Sequence, residues 1–391
     1  MKKRLVMPVI FITMLFLLIG AASAAASTSS TGYKELSAVH FKDLVVNEVS
    51  VPVKGVKGCK IDVSSMVKNK GNIATGGFYV NYYLKTSSTG KEQYLGHVYI
   101  DKLAAGAVKH QNIKLHVPTN TAKASYYLLA HADSYGNISE SNDNNNYGYS
   151  RTKIKIVGPA YILFDDMVGG DVTLNGEINE NIPKTDFARN LFRMERNGSI
   201  MLKFGNGNGP KVLISAGIHG NEPEANIAIM KYLEYIKDKN IQGTLCIIPF
   251  AIPKDTALNS RYYNGKDPNR IANENGTPGW NIVQFARKNG IDYILDVHSG
   301  AEVCSKGLLY VNPSPKDSEE YKWADYITRV SGCESRVQTQ DQGMVRTEAS
   351  NYSINTITLE VERDSILTRV AAEAEFKVIC AACKYFAYPC P

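Results

Sequence analysis

The chain has 391 residues, of which 44% are hydrophobic and 21% are charged, and its formal net charge is +6. These proportions are ordinary for a globular protein and exclude wholesale disorder, a collagen-like repeat and a coiled coil. The length predicts two domains, or three. The small net charge argues against a nucleic-acid partner, and beyond the N-terminus no apolar run reaches the ~20 residues of a membrane-spanning helix.

The N-terminus has the three zones of a secretory signal peptide. Basic residues at 2–4 are followed by an uncharged apolar run over 5–20 and by small residues in an A-x-A pattern at 22–24. That order predicts a signal peptide over residues 1–24, with an uncleaved N-terminal anchor as the alternative. Either interpretation predicts a protein that is secreted or held at the cell surface.

Residues 37–157 have the texture of an all-β domain. Short runs rich in β-branched and aromatic residues alternate with turn sequences such as 69–72 and 134–137. Strands at this spacing, without helical periodicity, predict an immunoglobulin-like antiparallel sandwich of about seven strands. The clearest predicted strands lie at 60–67, 77–85, 94–100, 108–117 and 125–133.

This stretch resembles the cell-adhesion-related domain of bacterial and archaeal surface proteins, known as the CARDB type. The resemblance rests on residues 67–72, which follow an early strand, and on residues 132–133 and 140–145 near the last strand. A cell-wall or surface polymer is the candidate partner of such a sandwich.

An acidic and amide cluster near the last predicted strand has two interpretations. Its members Asp133, Glu140, Asp143 and Asn144 offer the oxygen ligands that Ca²⁺ prefers. The favoured alternative is that these side chains cap a tight turn through hydrogen bonds to the backbone.

The pattern of predicted strands and helices changes at about residue 205. Residues 158–204 are a transitional segment, with a hairpin predicted around 171–177, whereas strands and helices alternate over 205–391. The alternation predicts an α/β catalytic domain with a mixed, mostly parallel sheet and helices on both faces. Predicted strands lie at 211–216, 243–250, 293–297, 307–311 and 356–359, and predicted helices at 223–238, 280–289, 319–330 and 365–386.

Two histidines of this domain follow directly on predicted strands. His219 comes after the first strand, with Glu222 at the start of the next helix, and His298 comes after the third strand. Ligands of open α/β sheets bind beyond the carboxyl ends of the strands, and two His with one Glu are a known ligand set of catalytic zinc. We therefore predict one Zn²⁺ per chain held by these three residues. The alternative is that the two histidines are unrelated and cap strands or helices. Asp296, two residues before His298, either orients a ligand imidazole or has another partner.

Residues 217–222 resemble the opening motif of the succinylglutamate desuccinylase/aspartoacylase family, whose members are relatives of the zinc carboxypeptidases. The family pattern continues with Arg261, with residues 267–270, with residues 296–299 and with a strand that carries Glu360. The resemblance covers the whole α/β domain and implies a zinc carboxypeptidase-like fold. Family members often have a further β-rich domain after the catalytic Glu, whereas a helix and tail follow here, so both the deacylase and the carboxypeptidase branch stay open.

The resemblance also implies a role for each motif residue. Glu360 takes the proton of a water molecule and passes it to the leaving amine, and Glu362, on the same face of the strand, is its rival. Arg261 faces the oxyanion of the tetrahedral intermediate. Asn269 and Arg270 hold a carboxylate of the substrate. Apart from the motif, both arginines are ordinary surface charges in a loop.

Together these features predict a secreted zinc-dependent amidohydrolase. Its expected substrate is a small N-acyl amino acid or a peptide with a free carboxylate. A metallocarboxypeptidase that trims cell-wall peptides is the alternative within the same chemistry. A non-catalytic surface-binding protein, in which the sandwich is the active part, is the alternative of a different class. The presence of the predicted ligands, base and arginines favours the enzyme.

Overall fold

The computed structural model describes residues 39–205, 207–300, 304–339, 341–363 and 366–391. The predicted signal peptide over residues 1–24 lies outside the described residues, so it stays a prediction. From His40 to Pro391 the chain forms one compact unit. Within the described ranges every helix is too short or too polar to cross a membrane.

The first part of this unit is a β-sandwich. Its strands are β1 (Leu44–Ser50), β2 (Lys54–Val56), β3 (Lys60–Asn69), β4 (Phe78–Lys85), β5 (Gln93–Ile100), β6 (Val108–His116), β7 (Ser125–Ala132), β8 (Tyr147–Tyr149) and β9 (Ile154–Val157). One sheet has the order β1-β3-β6, and the other has the order β2-β9-β7-β4-β5 with β8 paired to β7. The sandwich is confirmed. The sequence predicted about seven strands because β2 and β8 have three residues each, too few to show an alternating pattern.

Alternation along the strands builds the sandwich core. In β3, Ile61, Val63 and Val67 are buried, whereas Lys60 and Asp62 point to solvent. The same period of two in the facing strands closes an apolar layer between the sheets. That layer is formed by side chains between Leu44 and Ile156.

The acidic cluster near β8 accepts hydrogen bonds from backbone N–H groups. Asp133 accepts hydrogen bonds from the N–H groups of Asn137 (3.0 Å) and Ile138 (2.7 Å). Glu140 accepts one from the N–H of Leu44. Such hydrogen bonds to the backbone agree with the turn-capping interpretation and not with a cation site.

The outer face of the six-stranded sheet is aromatic. Register places Tyr79 beside Tyr99, and Asn81 between His97 and His131. Centroids of neighbouring rings lie between 4.1 and 6.4 Å apart. We call this surface the tyrosine face, and its members are Tyr79, Tyr83, Tyr94, His97, Tyr99, Tyr127, His131, Tyr135, Tyr147 and Tyr149.

The second part is an eight-stranded sheet with helices on both faces. Its strands are β10 (Ala160–Asp165), β11 (Ser199–Gly205), β12 (Lys211–Ala216), β13 (Thr244–Ile248), β14 (Tyr293–Gly300), β15 (Leu308–Val311), β16 (Glu334–Val337) and β17 (Asn355–Glu362). Its helices are α1 (Gly176–Asn181), α2 (Asp186–Glu195), α3 (Pro223–Ile236), α4 (Pro253–Ala257), α5 (Pro278–Asn289), α6 (Glu319–Ser331), α7 (Val345–Ser350) and α8 (Thr368–Lys384). Short 3-10 helices lie at Asp143–Asn145, Val172–Leu174 and Pro268–Arg270.

The strand order is β10-β11-β13-β12-β14-β17-β15-β16. The central run β13, β12, β14 and β17 is parallel, and antiparallel pairings flank it at β10/β11, β11/β13 and β17/β15. The predicted mixed α/β fold is therefore confirmed. Because β12, β14 and β17 are parallel neighbours, their carboxyl ends meet at one edge of the sheet.

The segment 158–204 contributes β10, β11, α1 and α2 to this part of the chain. The hairpin predicted at 171–177 is wrong. Asp171 accepts a hydrogen bond from the N–H of Thr173, and Asn175 accepts one from the N–H of Ile178. Each of these side chains caps the start of a helical turn, which is a common use of Asp and Asn.

The two faces of the sheet bury different helices. Helices α2, α3, α6 and α8 cover one face, and α5 and α7 cover the other. In β17 the odd-numbered residues Ile357, Leu359 and Val361 pack against the first group. The even-numbered residues, including Glu360, therefore point to the second face.

The sandwich and the α/β sheet have separate cores, and the contacts that join them are polar or peripheral. Lys54 Nζ lies 2.7 Å from Asp238 Oδ2, and the hydroxyl of Tyr161 donates to the carbonyl O of Lys57 at 3.2 Å. Cys59 packs at the margin of the α/β core. The first of these contacts is a half-exposed ion pair, which is worth about 0–1 kcal/mol.

We predict that a fragment from about residue 160 onward folds without the sandwich and keeps activity on a small soluble substrate. Its buried clusters are complete without the sandwich strands, so its thermal unfolding, followed by circular dichroism, should stay cooperative. A fragment that melts without a transition, while the full chain melts cooperatively, would show that the two parts need each other to fold.

Candidate metal centre

The connection between β12 and α3 is shaped so that it places two side chains at the edge of the sheet. Gly217 has a φ of +76°, which favours glycine, and a Cβ on it would lie 2.6 Å from Nδ2 of Asn226. A Cβ on Gly220 would lie 2.1 Å from the carbonyl C of Asp255. The backbone therefore turns sharply and packs closely, which holds His219 and Glu222 at the carboxyl end of β12.

Glu222 lies at the centre of the site. It is the N-cap residue of α3, yet its side chain makes no capping hydrogen bond. Instead, Oε1 lies 2.8 Å from Nδ1 of His219, and Oε2 lies 2.8 Å from Nδ1 of His298. All three residues are buried, and one possible ligand atom from each lies within 4.8 Å of the others.

The outer nitrogens of both imidazoles are held by carboxylates. Nε2 of His219 lies 2.8 Å from Oδ1 of Asp267, and Nε2 of His298 lies 2.9 Å from Oδ2 of Asp296. Ligand histidines in metal sites are usually oriented by such contacts. Asp296 also accepts a hydrogen bond from Oγ of Ser215 at 3.0 Å, so it has both of the partners that the sequence left open.

The charges at the site favour a cation. Burial alone raises the pKa of Glu222, but His219 and His298 outweigh it and lower that pKa. Burial lowers the pKa of His298, but Asp296 and Glu222 outweigh it and raise that pKa well above its usual value. Histidines bind metals in their neutral form, in which case the carboxylates of Glu222, Asp267 and Asp296 leave the cluster negative. The donor set, its buried position and its negative charge fit a divalent transition metal ion.

Arg261 lies against the same carboxylates. Its Nη2 donates to Oδ2 of Asp267 at 2.9 Å, and its Nη1 donates to Oε1 of Glu222 at 3.4 Å. The side chain of Arg261 is 35% exposed, whereas that of Glu222 is 5% exposed. The guanidinium group therefore lies between the buried candidate ligands and solvent.

Glu360 is the register partner of His298 across β14 and β17. Partners in a parallel pair point to the same face, so its side chain lies on the side of the metal centre. Burial raises the pKa of Glu360, and the neighbouring His298 partly offsets the rise. Its rival Glu362 pairs with Gly300, two positions farther along the strand.

Asn269 and Arg270 occupy different environments. Asn269 is buried, accepts the N–H of Val345 on Oδ1 at 3.0 Å, and places Nδ2 3.5 Å from Nε2 of His298. Arg270 is exposed, and its Nη1 donates to the carbonyl O of Asn269 at 2.8 Å. The structure thus brings together His219, Glu222, His298, Arg261 and Asn269 by direct contact, and Glu360 by register. Within the described residues Arg270 makes no hydrogen bond or ion pair with His219, Glu222 or His298. Its role therefore stays a prediction.

Two neighbours of the site received no role from the sequence. Asp267 orients His219 across 48 residues of chain, and only its place in the motif at 267–270 could have indicated it. Arg346 is fully buried on α7, and its guanidinium donates to Asn312 and Gln338 at 2.7 Å each. Burial lowers the pKa of Arg346, and the negative charges of Glu320, Asp296 and other acidic residues oppose that fall. No local pattern in the sequence marks an arginine as buried.

Comparisons with known proteins agree with both resemblances. Residues 41–150 match the CARDB family, and residues 208–375 match the succinylglutamate desuccinylase/aspartoacylase catalytic domain. No curated protein sequence matches the chain at a significant level.

Three solved structures illustrate what the chain is similar to. A CARDB domain from Pyrococcus furiosus, in complex with di-metal ions, is 21% identical over 30% of this chain and 96% of that chain, with a TM-score of 0.24. A succinylglutamate desuccinylase/aspartoacylase from Rhodobacter sphaeroides is 19% identical over 49% of this chain and 60% of that chain, with a TM-score of 0.40. The tripeptide-bound cell shape determinant Csd4 from Helicobacter pylori is 15% identical over 49% of this chain and 56% of that chain, with a TM-score of 0.41.

The two matched regions coincide with the two parts of the fold, and the second contains every residue of the metal centre. The chain therefore combines a region that matches the CARDB family with a region that matches the catalytic domain of the succinylglutamate desuccinylase/aspartoacylase family.

Proposed function

We propose that the protein is a zinc-dependent amidohydrolase of N-acyl amino acids or of peptides that carry a free carboxylate. The family of the catalytic domain supports a hydrolase. The observation that carries the proposal is the buried His219–Glu222–His298 cluster, in which carboxylates hold the outer nitrogens and leave both Nδ1 atoms toward Glu222.

The three ligands are His219, Glu222 and His298, with one Zn²⁺ per chain. Zinc bound there supplies a Lewis acid that polarises the scissile carbonyl and lowers the pKa of water. Asp267 and Asp296 fix the ring orientation of the two ligand histidines, so the donor atoms need little rearrangement on binding.

Glu360 is the proposed general base. Its carboxylate takes a proton from the attacking water and delivers it to the amine nitrogen as the amide bond breaks. One water and one amide thus give one carboxylate and one amine. The burial that raises the pKa of Glu360 makes it a stronger proton acceptor than an exposed carboxylate.

Arginines supply the complementary charge. Arg261 projects from the ligand cluster toward solvent, where it can stabilise the negative oxygen that develops on the scissile carbonyl. Arg270, beside Asn269, is the proposed contact for the free carboxylate of the substrate, because a guanidinium binds both carboxylate oxygens.

The composition of residues 1–24 supports a place outside the cytoplasm.

We predict that the purified protein binds one Zn²⁺ per chain and that His298→Ala abolishes tight binding. Asp296→Asn, which leaves the ligands in place but weakens their orientation, should lower the affinity roughly 10–100-fold. Metal analysis and competition with a chelating dye give both values. A protein without transition metal, or a His298→Ala variant that binds zinc like the wild type, would show that the site is wrong.

We predict that the zinc-loaded protein releases amine from N-acyl amino acids and that a chelator stops the reaction until zinc is added back. Methyl esters of the same compounds should be poor substrates, because they lack the carboxylate that Arg270 is proposed to bind. Amine release followed by fluorescamine measures both. Release of C-terminal residues from peptides, with N-acyl amino acids untouched, would favour the carboxypeptidase. A zinc-loaded protein that hydrolyses neither class would favour the surface-binding alternative.

Substitutions of Glu360 and Glu362 separate the two candidate bases. Glu360→Gln keeps shape and hydrogen bonding but cannot take a proton, so it should keep zinc and lose roughly 10²–10⁴-fold in kcat. Glu362→Gln is the matched control, with the same change on the same face of β17, and should lose far less. The reverse ranking would move the base to Glu362, and small equal losses would contradict the mechanism.

A further inference from the structure

The tyrosine face of the sandwich is open to solvent. Tyr135 is 62% exposed, Tyr99 is 55% exposed and Tyr147 is 46% exposed. Tyrosine suits β-strands, and cross-strand aromatic pairs stabilise sheets, so a structural role alone needs consideration. Contiguous exposed aromatic surface is nevertheless unusual on a monomeric protein and commonly marks a binding surface.

Two features show that sheet stability does not account for the face. The outward face of the other sheet is built from ordinary polar residues, such as Asp62, which pairs with Lys114, and Ser64, whose register partner is Asn112. Tyr135 lies in a turn outside the strands, yet its ring packs edge-on against Tyr79 at 5.6 Å. The aromatic surface therefore extends beyond what strand pairing needs.

The floor of the face holds an unused polar atom. Asn81 is 4% exposed and lies in register between His97 and His131. Its Nδ2 donates to the hydroxyl of Tyr83 at 3.1 Å, whereas its Oδ1 has no hydrogen-bond partner in the described structure. A buried acceptor without a donor is costly, so the polar floor of the face is not explained by the packing of the sheet.

The charge of the face limits the class of ligand. Phenol hydroxyls, imidazoles and the Asn81 amide supply its polar atoms. The charged side chains described on it lie toward one end, where Lys85 pairs with Glu92 at 3.0 Å and Lys153 lies over the ring of Tyr127. A single-stranded nucleic acid also stacks on aromatic rings, but it needs a positively charged groove along its backbone. A neutral ligand fits this surface better.

From these observations we infer that the tyrosine face binds a neutral polysaccharide. A sugar ring has a flat side of C–H groups, which packs on a tyrosine ring, and a rim of hydroxyls, which can form hydrogen bonds with the tyrosine hydroxyls and with the imidazoles of His97 and His131. Tyrosine combines an apolar body with a polar tip, so it serves both sides of such a ligand. This inference is independent of the proposed hydrolase.

One ring of the face is positioned by a glycine. A Cβ on Gly77 would lie 1.9 Å from the hydroxyl O of Tyr99, so Tyr99 lies close over the backbone there. Gly77→Ala should push this ring aside without removing it, and because the clash is with the end of a side chain, the fold should persist. The variant therefore tests whether ring placement, and not tyrosine content, determines binding.

The experiment is affinity electrophoresis of the full chain in gels that contain a soluble β-glucan, a mannan or a xylan. We expect at least one polysaccharide to retard the protein. Tyr99→Ser and Tyr135→Ser should each weaken that retardation about tenfold, the scale of an interface anchor, and Gly77→Ala should weaken it as well. Tyr135 lies outside the strands, so its replacement leaves the sheet intact.

Tyr352→Ser, at an exposed tyrosine of the other domain, is the matched control and should bind like the wild type. Thermal melting should stay cooperative in the three sandwich variants, with a slightly lower midpoint for Tyr99→Ser because it removes the cross-strand pair with Tyr79. Hydrolytic activity on a small soluble substrate should be unchanged in all three. Failure of all three polysaccharides to retard the wild type, or equal retardation of all variants, would overturn the inference. So would displacement of the polysaccharide by oligodeoxythymidylate, or a dimer in sedimentation that Tyr99→Ser abolishes.

Discussion

One buried carboxylate holds the candidate metal centre together. Glu222 contacts Nδ1 of His219, three residues away, and Nδ1 of His298, 76 residues away. A buried charge is stable only where partners replace its lost hydration, and here two imidazoles and the N–H of Ser299 (3.3 Å) do so. The arrangement exists because β12 and β14 are parallel neighbours, with Ala216 in register with Val297, so the chain leaves both strands at the same edge.

Arginines balance the negative charge of this edge on one side of the sheet, and a serine hydroxyl supports it on the other. On the side of the ligands, Arg261 bonds Glu222 and Asp267, and the buried Arg346 is close enough to Asp296 and Glu360 for their charges to oppose the fall in its pKa. On the other side, Oγ of Ser299 donates to Oε2 of Glu224 at 2.8 Å. Ser299 thus ties the candidate ligand Glu222, through its N–H, to the first turn of α3, and this bond gives its hydroxyl a structural use.

The sequence could predict features that one local pattern determines. The strand β12 has the bounds that its apolar run predicts, and the two histidines are recognisable because each follows such a run. The prediction that His298 lies just past its strand is wrong, since β14 continues to Gly300. Asp267 was missed as an orienting group because its partner lies 48 residues away and only the fold brings them together. The sequence does not separate β10 and β11 from the transitional segment, because two helices lie between these strands, which pair only in space.

The tyrosine face was also hard to predict from the sequence, because its residues are far apart along the chain and meet only in the fold. The tyrosines of the face come from different strands and a turn, and Tyr79 in β4, Tyr99 in β5 and Tyr135 in a turn become one surface only when the fold brings them together. The candidate metal centre is built from the buried residues His219, Glu222 and His298, whereas this face keeps its rings exposed. A chain that combines a polymer-binding face with a hydrolytic site gains from effective concentration, which reaches about the millimolar range over short connections. Such a gain applies to substrates displayed on the polymer and not to freely diffusing ones, so the face would determine where the hydrolase acts and the metal centre which bond it cleaves.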